Sequence, residues 1–125
     1  ILAALGIDEG RLLPPVRPGS LMGVVGLECA FPVLYTSLVI PGKVPLARLI
    51  DAMATSPARR FGICDGEICD GGRADIAVID PDAEYRIDPE KFRSMGRSTP
   101  FAGMPVRGRC IMTIKKGNVI YDEQN

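Results

Sequence analysis

The run Gly66-Glu67-Ile68-Cys69-Asp70-Gly71-Gly72-Arg73-Ala74-Asp75-Ile76-Ala77-Val78-Ile79-Asp80 divides the 125-residue chain into two halves of different character. A polar, glycine-bearing turn leads into a short apolar segment that closes on an acid. Ile76 to Ile79 therefore reads as a buried strand. Asp75, at its mouth, reads as a turn-capping residue rather than a titrating one. Downstream the period stays strand-like: Glu84 to Ile87 is expected as an edge strand and Val106 to Ile114 as a longer one. Lys116-Gly117-Asn118 turns the chain into a last strand, Val119-Ile120-Tyr121. Asp88 to Pro100 is a polar excursion between them.

Upstream the period is helical. Leu27, Phe31, Leu34 and Leu38 recur at helical spacing, which predicts a helix from about Leu27 to Val39 that Pro41-Gly42 ends. Leu46, Leu49, Ile50 and Met53 form the core stripe of a second helix, Pro45 to Ala54. Thr55 or Ser56 is expected to cap a short third helix, with Pro57 at its first position and Gly62 at its end. Before these, Leu21 to Gly26 is a loop whose glycines let backbone come close to a ligand. Pro14, Pro15 and Pro18 hold residues 1–20 extended as a linker.

The totals narrow the function class. Fifteen basic and fifteen acidic residues cancel, so no field of one sign draws in nucleic acid or an anionic membrane. No apolar run reaches the roughly 18 residues that suggest a membrane span. The start at Ile1 lacks a basic leader, does not read as a signal peptide, and reads as a cut piece of something longer. Cys29, Cys64, Cys69 and Cys110 read as reduced structural thiols of a cytoplasmic protein, and Cys64-x-x-x-x-Cys69 is not a zinc spacing. Glu28 suits the positive end of a helix, and Arg59-Arg60 suits a last helical turn. Lys115-Lys116 reads as a solvated hairpin tip, and Tyr35 and Tyr121 as core-edge residues. Asp70-Gly71-Gly72 precedes no helix and so is no phosphate loop.

Three stretches carry a family resemblance. Gly66-x-Ile68-x-x-Gly71-x-x-Ala74-Asp75-Ile76-x-Val78-x-Asp80 resembles the C-terminal β-segment of amidohydrolase-superfamily enzymes. Gly23-Val24-Val25-Gly26-Leu27-Glu28-Cys29-Ala30-Phe31-Pro32-Val33-Leu34-Tyr35-Thr36 is similar to the segment after the last catalytic strand of dihydroorotases. Thr99-Pro100-Phe101-Ala102-Gly103, Val106-x-Gly108 and Gly117-x-Val119-Ile120-Tyr121 look like the dihydroorotase C-terminus. The resemblance implies an α/β chain: the last helices of a TIM-type (β/α)8 barrel over residues 21–63, then a small β-sandwich segment over residues 64–125. The fold is incomplete as it stands, since such a barrel needs about 250 residues.

The resemblance also implies an activity, the zinc-dependent interconversion of N-carbamoyl-L-aspartate and L-dihydroorotate in pyrimidine synthesis. Opening an unactivated cyclic amide needs a metal that lowers the pKa of bound water and polarises the carbonyl. The family holds zinc mainly with histidines, and this chain has none. No catalytic residue and no metal ligand is therefore assigned, and Asp8, Asp65, Asp70 and Asp75 lie in the wrong motifs for the catalytic aspartate. What the resemblance does carry over is a substrate loop at Leu21, Met22 and Gly23, with Leu21 replacing the usual proline. The expected partners are the rest of the barrel, the substrate, and a second copy or an aspartate transcarbamoylase. Two rivals stand beside this reading: a non-catalytic dihydroorotase-like scaffold, and an enzyme of the dihydropyrimidinase, allantoinase or hydantoinase type.

Overall fold

A computed structural model describes residues 27–62 and 68–123. In chain order these give α1 (Leu27–Leu34), which continues into a π-helical turn (Tyr35–Val39). Then come α2 (Leu46–Ile50), a second π-helical turn (Asp51–Thr55) and α3 (Ser56–Phe61). Three strands follow, β1 (Ile76–Arg86), β2 (Pro105–Lys115) and β3 (Asn118–Asp122). The helix-then-strand division expected at the 66–80 run is the one observed.

The first helix has the expected extent, and the chain reverses beyond it at Gly42, whose φ of 71° suits glycine. Its inward stripe is different from the one expected. Cys29, Pro32 and Val33 are buried, while Phe31, Leu34 and Leu38 are only half-buried. The second and third helices are not separate. Thr55 has helical dihedrals and makes no side-chain cap, so neither it nor Ser56 starts a new helix. The backbone N–H of Ser56 instead reaches back to the Asp51 carbonyl, a π-type bond, and its hydroxyl donates to Asp51 Oδ1 at 3.0 Å. Pro57 has no N–H to give to Met53. The wider π turn just before it relieves the crowding that a proline imposes inside a helix, so the helix continues instead of breaking. Gly62, in the left-handed conformation, ends it as expected.

The sheet is antiparallel, in the order β1-β2-β3 among the described residues. The expected strands at Ile76–Ile79 and Glu84–Ile87 prove to be one element, with an irregularity between Asp80 and Glu84. Pro81 cannot donate to a ladder there, and Asp80 Oδ1 takes the N–H groups of Asp82 and Ala83 at 2.9 and 3.2 Å. Nor is the first part of this strand buried: Ala77 and Val78 are exposed among the described residues. Lys115 pairs with Asn118 across a two-residue turn. Lys116 and Gly117 both have positive φ, 51° and 80°, which matches the strand twist of a type I′ hairpin.

One core lies between α1 and the sheet: Cys29 and Val33 meet Ile87 and Val106, flanked by Tyr85, Phe92, Phe101 and Met104. Two features fix α1 against β2. Gly108 (φ +90°) leaves no Cβ where Phe31 Cε1 would lie 2.9 Å and Tyr35 Cδ1 3.1 Å from it. Thr36 Oγ1 accepts the Arg107 N–H at 2.8 Å and lies 3.5 Å from the same residue's carbonyl. A smaller cluster joins Leu38 to Val44 and Ala52. On the α2 stripe only Leu49 is fully buried; Leu46, Ile50 and Met53 keep 39%, 46% and 37% of their surface exposed. No described helix is long and apolar enough to cross a membrane.

Candidate functional site

The expected substrate loop, Leu21, Met22 and Gly23, lies outside the described residues, as do Asp8, Cys64 and Asp65. The described part shows how the helix that follows the loop is held. Glu28, in the first turn of α1, accepts the backbone N–H of Arg93 on Oε2 at 3.0 Å and that of Ser94 on Oε1 at 2.7 Å. Burial pushes the Glu28 carboxyl up, but the hydrogen bonds from Ser94 and Arg93 and the Arg93 charge outweigh it and hold the group below its ordinary 4.5. The next residue, Cys29, places its sulfur 3.7 Å from Thr99 Oγ1. The polar excursion 88–100 is thus a strap seated on the start of α1.

Between α1, this strap and the inner face of the sheet runs an open groove of about 1050 Å³, lined by residues including Glu28, Phe31, Tyr85, Arg93, Arg109, Cys110, Tyr121 and Glu123. The Arg93 guanidinium lies 4.6 Å over the Tyr121 ring and that of Arg109 4.5 Å over Tyr85. Arg109 also pairs with Glu123 at 2.7 Å. Burial pushes the Tyr85 hydroxyl above its ordinary 10.0, against the pull of Arg109. Each of these two cations already faces a ring, and Arg109 a carboxylate as well. The groove is built to hold neighbouring elements together, and no nucleophile–base pair is set in it among the described residues.

The remaining candidates have structural settings. Asp75 Oδ1 accepts the Lys116 N–H at 2.8 Å and Asp75 pairs with Arg73, so it ties the turn before β1 to the β2–β3 hairpin tip. The Lys116 bond comes first; burial opposes it, and the Arg73 hydrogen bond with the Arg73 and Lys115 charges adds to it, so the pKa is lowered from an ordinary 3.8. Asp70 is exposed in a turn. Arg59 and Arg60 fall in the last turn of α3, and Tyr35 and Tyr121 are half-buried. Cys29, Cys69 and Cys110 stand as thiols.

The chain has no histidine, and among the described residues no three cysteine, aspartate or glutamate side chains come together to hold a metal. The clamp of Glu28 on Arg93 and Ser94, and the stacking of Arg93 on Tyr121, were not foreseen. Partners 65 and 66 residues apart leave no local pattern; the one signal was an acid in the first helical turn facing a polar, arginine-bearing excursion.

The model of the amidohydrolase family, Amidohydro_3, matches residues 25–121. The chain is 46% identical over 101 residues to the dihydroorotase of Bacillus caldolyticus, covering 81% of this chain and 24% of that protein. It is 43% identical over 116 residues to the dihydroorotase of Anoxybacillus flavithermus, covering 93% and 26%. It therefore spans about a quarter of the length of these relatives. Among solved structures it is similar to the L-hydantoinase (dihydropyrimidinase) from Arthrobacter aurescens, with a TM-score of 0.71 and 36% identity over 78% of this chain and 22% of that one. It is also similar to the dihydropyrimidinase from Brevibacillus agri NCHU1002, with a TM-score of 0.69 and 29% identity over 75% and 21%.

Proposed function

The chain belongs to the amidohydrolase family, and from that premise we propose that it is the C-terminal part of a dihydroorotase-like cyclic amidohydrolase. The whole enzyme would interconvert N-carbamoyl-L-aspartate and L-dihydroorotate in de novo pyrimidine biosynthesis, in the cytoplasm. The observation that carries this reading is the 46% identity to a dihydroorotase over 101 residues, 81% of the chain. In it, residues 21–63 complete the wall of a TIM-type barrel, with Leu21, Met22 and Gly23 offering backbone to the substrate ring. Residues 64–125 form part of an accessory β-sandwich, and residues 1–20 run as a linker. The apolar stripe left open on α2 supports the barrel-wall role, since such a stripe is ordinarily covered. Zinc would polarise the amide carbonyl and activate water, and its ligands would come from outside the described residues. A second copy of the enzyme or an aspartate transcarbamoylase is the partner proposed for the assembled protein.

The likeness to an L-hydantoinase at a TM-score of 0.71 favours a second reading, a hydrolase of hydantoins or dihydropyrimidines. Two measurements separate the cases. The intact mass of the polypeptide from its own cells should be several-fold above the 13.4 kDa of this chain, with stoichiometric zinc. That protein should turn over dihydroorotate with a kcat/KM at least about tenfold above dihydrouracil or hydantoin, a difference of about 1.4 kcal/mol in transition-state binding. The opposite preference moves the assignment to the second reading, and turnover of none of the three rejects both.

A further inference from the structure

We infer that the Asp70-Gly71 pair is a site of spontaneous covalent modification, at which aspartate isomerises to isoaspartate through a cyclic succinimide. Closing that ring needs an uncommitted carboxyl, an uncommitted and unhindered amide on the next residue, and a backbone able to swing. Every other described aspartate lacks one of these. Asp51 is held by Arg48 and Ser56, and Asp75 by the Lys116 amide. Asp80 and Asp88 each precede a proline, which has no N–H to attack with. After Asp82 the Ala83 N–H is taken by Asp80, and after Asp122 the Glu123 N–H is taken by the Ile111 carbonyl. Asp70 is exposed, and among the described residues its carboxylate has no hydrogen bond or ion pair. The turn there uses the Gly72 N–H, which donates to the Cys69 carbonyl at 3.0 Å; that of Gly71 is left unbonded among those residues. Gly71 has a φ of 75°, and even a methyl built on it would meet no atom within 4 Å. So open a turn, with its backbone bond at the surface, unlatches readily. In the first step the Gly71 nitrogen bonds to Asp70 Cγ, and one carboxyl oxygen leaves as water with the amide proton and a solvent proton. Water then splits the ring. Breaking the Cγ–N bond restores aspartate; breaking the bond to the α-carbonyl carbon leaves isoaspartate, with the main chain running through Cβ and Cγ. No co-reactant but water takes part. The lengthened backbone has to be absorbed within the turn, because the chain just beyond is fixed. The Gly117 N–H donates to the Ala74 carbonyl at 3.0 Å and that of Lys116 to Asp75 at 2.8 Å. The Gly72–Cys69 bond is therefore the one lost.

The test ages the complete protein for weeks in heavy-oxygen water at neutral pH, then maps its tryptic peptides by mass spectrometry. Residues 61–73 leave as one peptide and residues 74–86 as the next. The first should acquire a labelled twin of the same sequence that elutes apart, and electron-transfer fragmentation should place the isoaspartyl linkage at Asp70. Label at Asp70 should grow several-fold faster than at Asp75 or Asp82 in the second peptide. A linkage found at Asp65 and not at Asp70, or label at Asp70 growing no faster than at Asp82, would overturn the inference. Asp70→Glu keeps the charge but has to close a larger ring, and should abolish the conversion; label that persists at residue 70 would also overturn it. In the aged fraction the Gly72 amide should lose its protection from hydrogen exchange while Lys116 keeps it. Unchanged protection at Gly72 would refute the remodelled turn.

Discussion

Asp75 and Glu28 each hold a backbone amide from a distant part of the chain, and both have a folded pKa below the ordinary value. A carboxylate of that kind stabilises the fold above its unfolded pKa and loses that contribution as pH falls through the lower, folded value. The expected outcome is a local loosening in acid. The Lys116 amide should exchange faster as pH drops below 3.8, and the Arg93 and Ser94 amides below 4.5, after correction for intrinsic exchange. Protection that is flat across pH 5 to 2 at all three amides would remove both clamps from the account. Gly108 tests packing instead of charge. A methyl there would meet the Phe31 ring at 2.9 Å in a backbone conformation that side chains rarely adopt. Gly108→Ala should therefore cost about 2 kcal/mol or more, read as a lower urea midpoint at constant m-value. A structural role for Asp75 was legible from its place just before a strand, though not its partner, the Lys116 amide 41 residues on. The clamp of Glu28 was not, because its partners become neighbours only after the sheet has formed.

At the level of elements, the β2–β3 hairpin was legible to within a residue: glycine between two apolar runs marks the turn, while Asn118, read as part of it, pairs with Lys115 as the first residue of β3. Its weak point is Lys116, a side-chain-bearing residue at φ 51°. Lys116→Asn keeps the backbone N–H that Asp75 accepts while suiting the left-handed conformation better. It should raise stability by roughly 0.5–1 kcal/mol, and a thermal melt unchanged or lowered would contradict the turn assignment. The helix after Pro45 was legible in position but not in continuity. Proline at residue 57 reads locally as a helix start, and only the π turn before it lets the helix pass through. Strand β1 was split for a similar reason: Pro81 looks like a break, whereas the Asp80 side chain carries the chain across it.

Across the whole molecule, burial is where reading the sequence and seeing the structure diverge most. Periodicity marks which face of a helix is apolar, but not whether anything covers it. On α2 the stripe was read correctly as apolar, yet Leu46, Ile50 and Met53 remain exposed, and Phe61 beyond them keeps 72% of its surface open. The 125-residue chain alone should therefore bind a hydrophobic dye and self-associate. Ile50→Glu with Met53→Lys should suppress both without changing its far-UV circular dichroism. In the complete enzyme the same pair should cost about 2–5 kcal/mol if the stripe is buried there. A neutral result would mean that this face is solvent-facing in the working protein. The proposed substrate loop at Leu21, Met22 and Gly23 rests on resemblance alone, since nothing in composition or spacing singles those residues out, and it lies outside the described residues.

The hydroxyl of Thr36 gives the sheet a stopper. Among the described residues, β3 and the residue after it reach along β2 only as far as Ile111, so at Arg107 the outer rim of β2 would otherwise offer its N–H and carbonyl to a passing strand. A helix side chain fills that place as a strand would, which closes the rim to runaway polymerisation. Thr36→Val keeps the volume and removes the oxygen. Agitated at neutral pH, it should seed thioflavin-positive fibrils well before the wild-type chain, and equal lag times would show that the rim is guarded by something else.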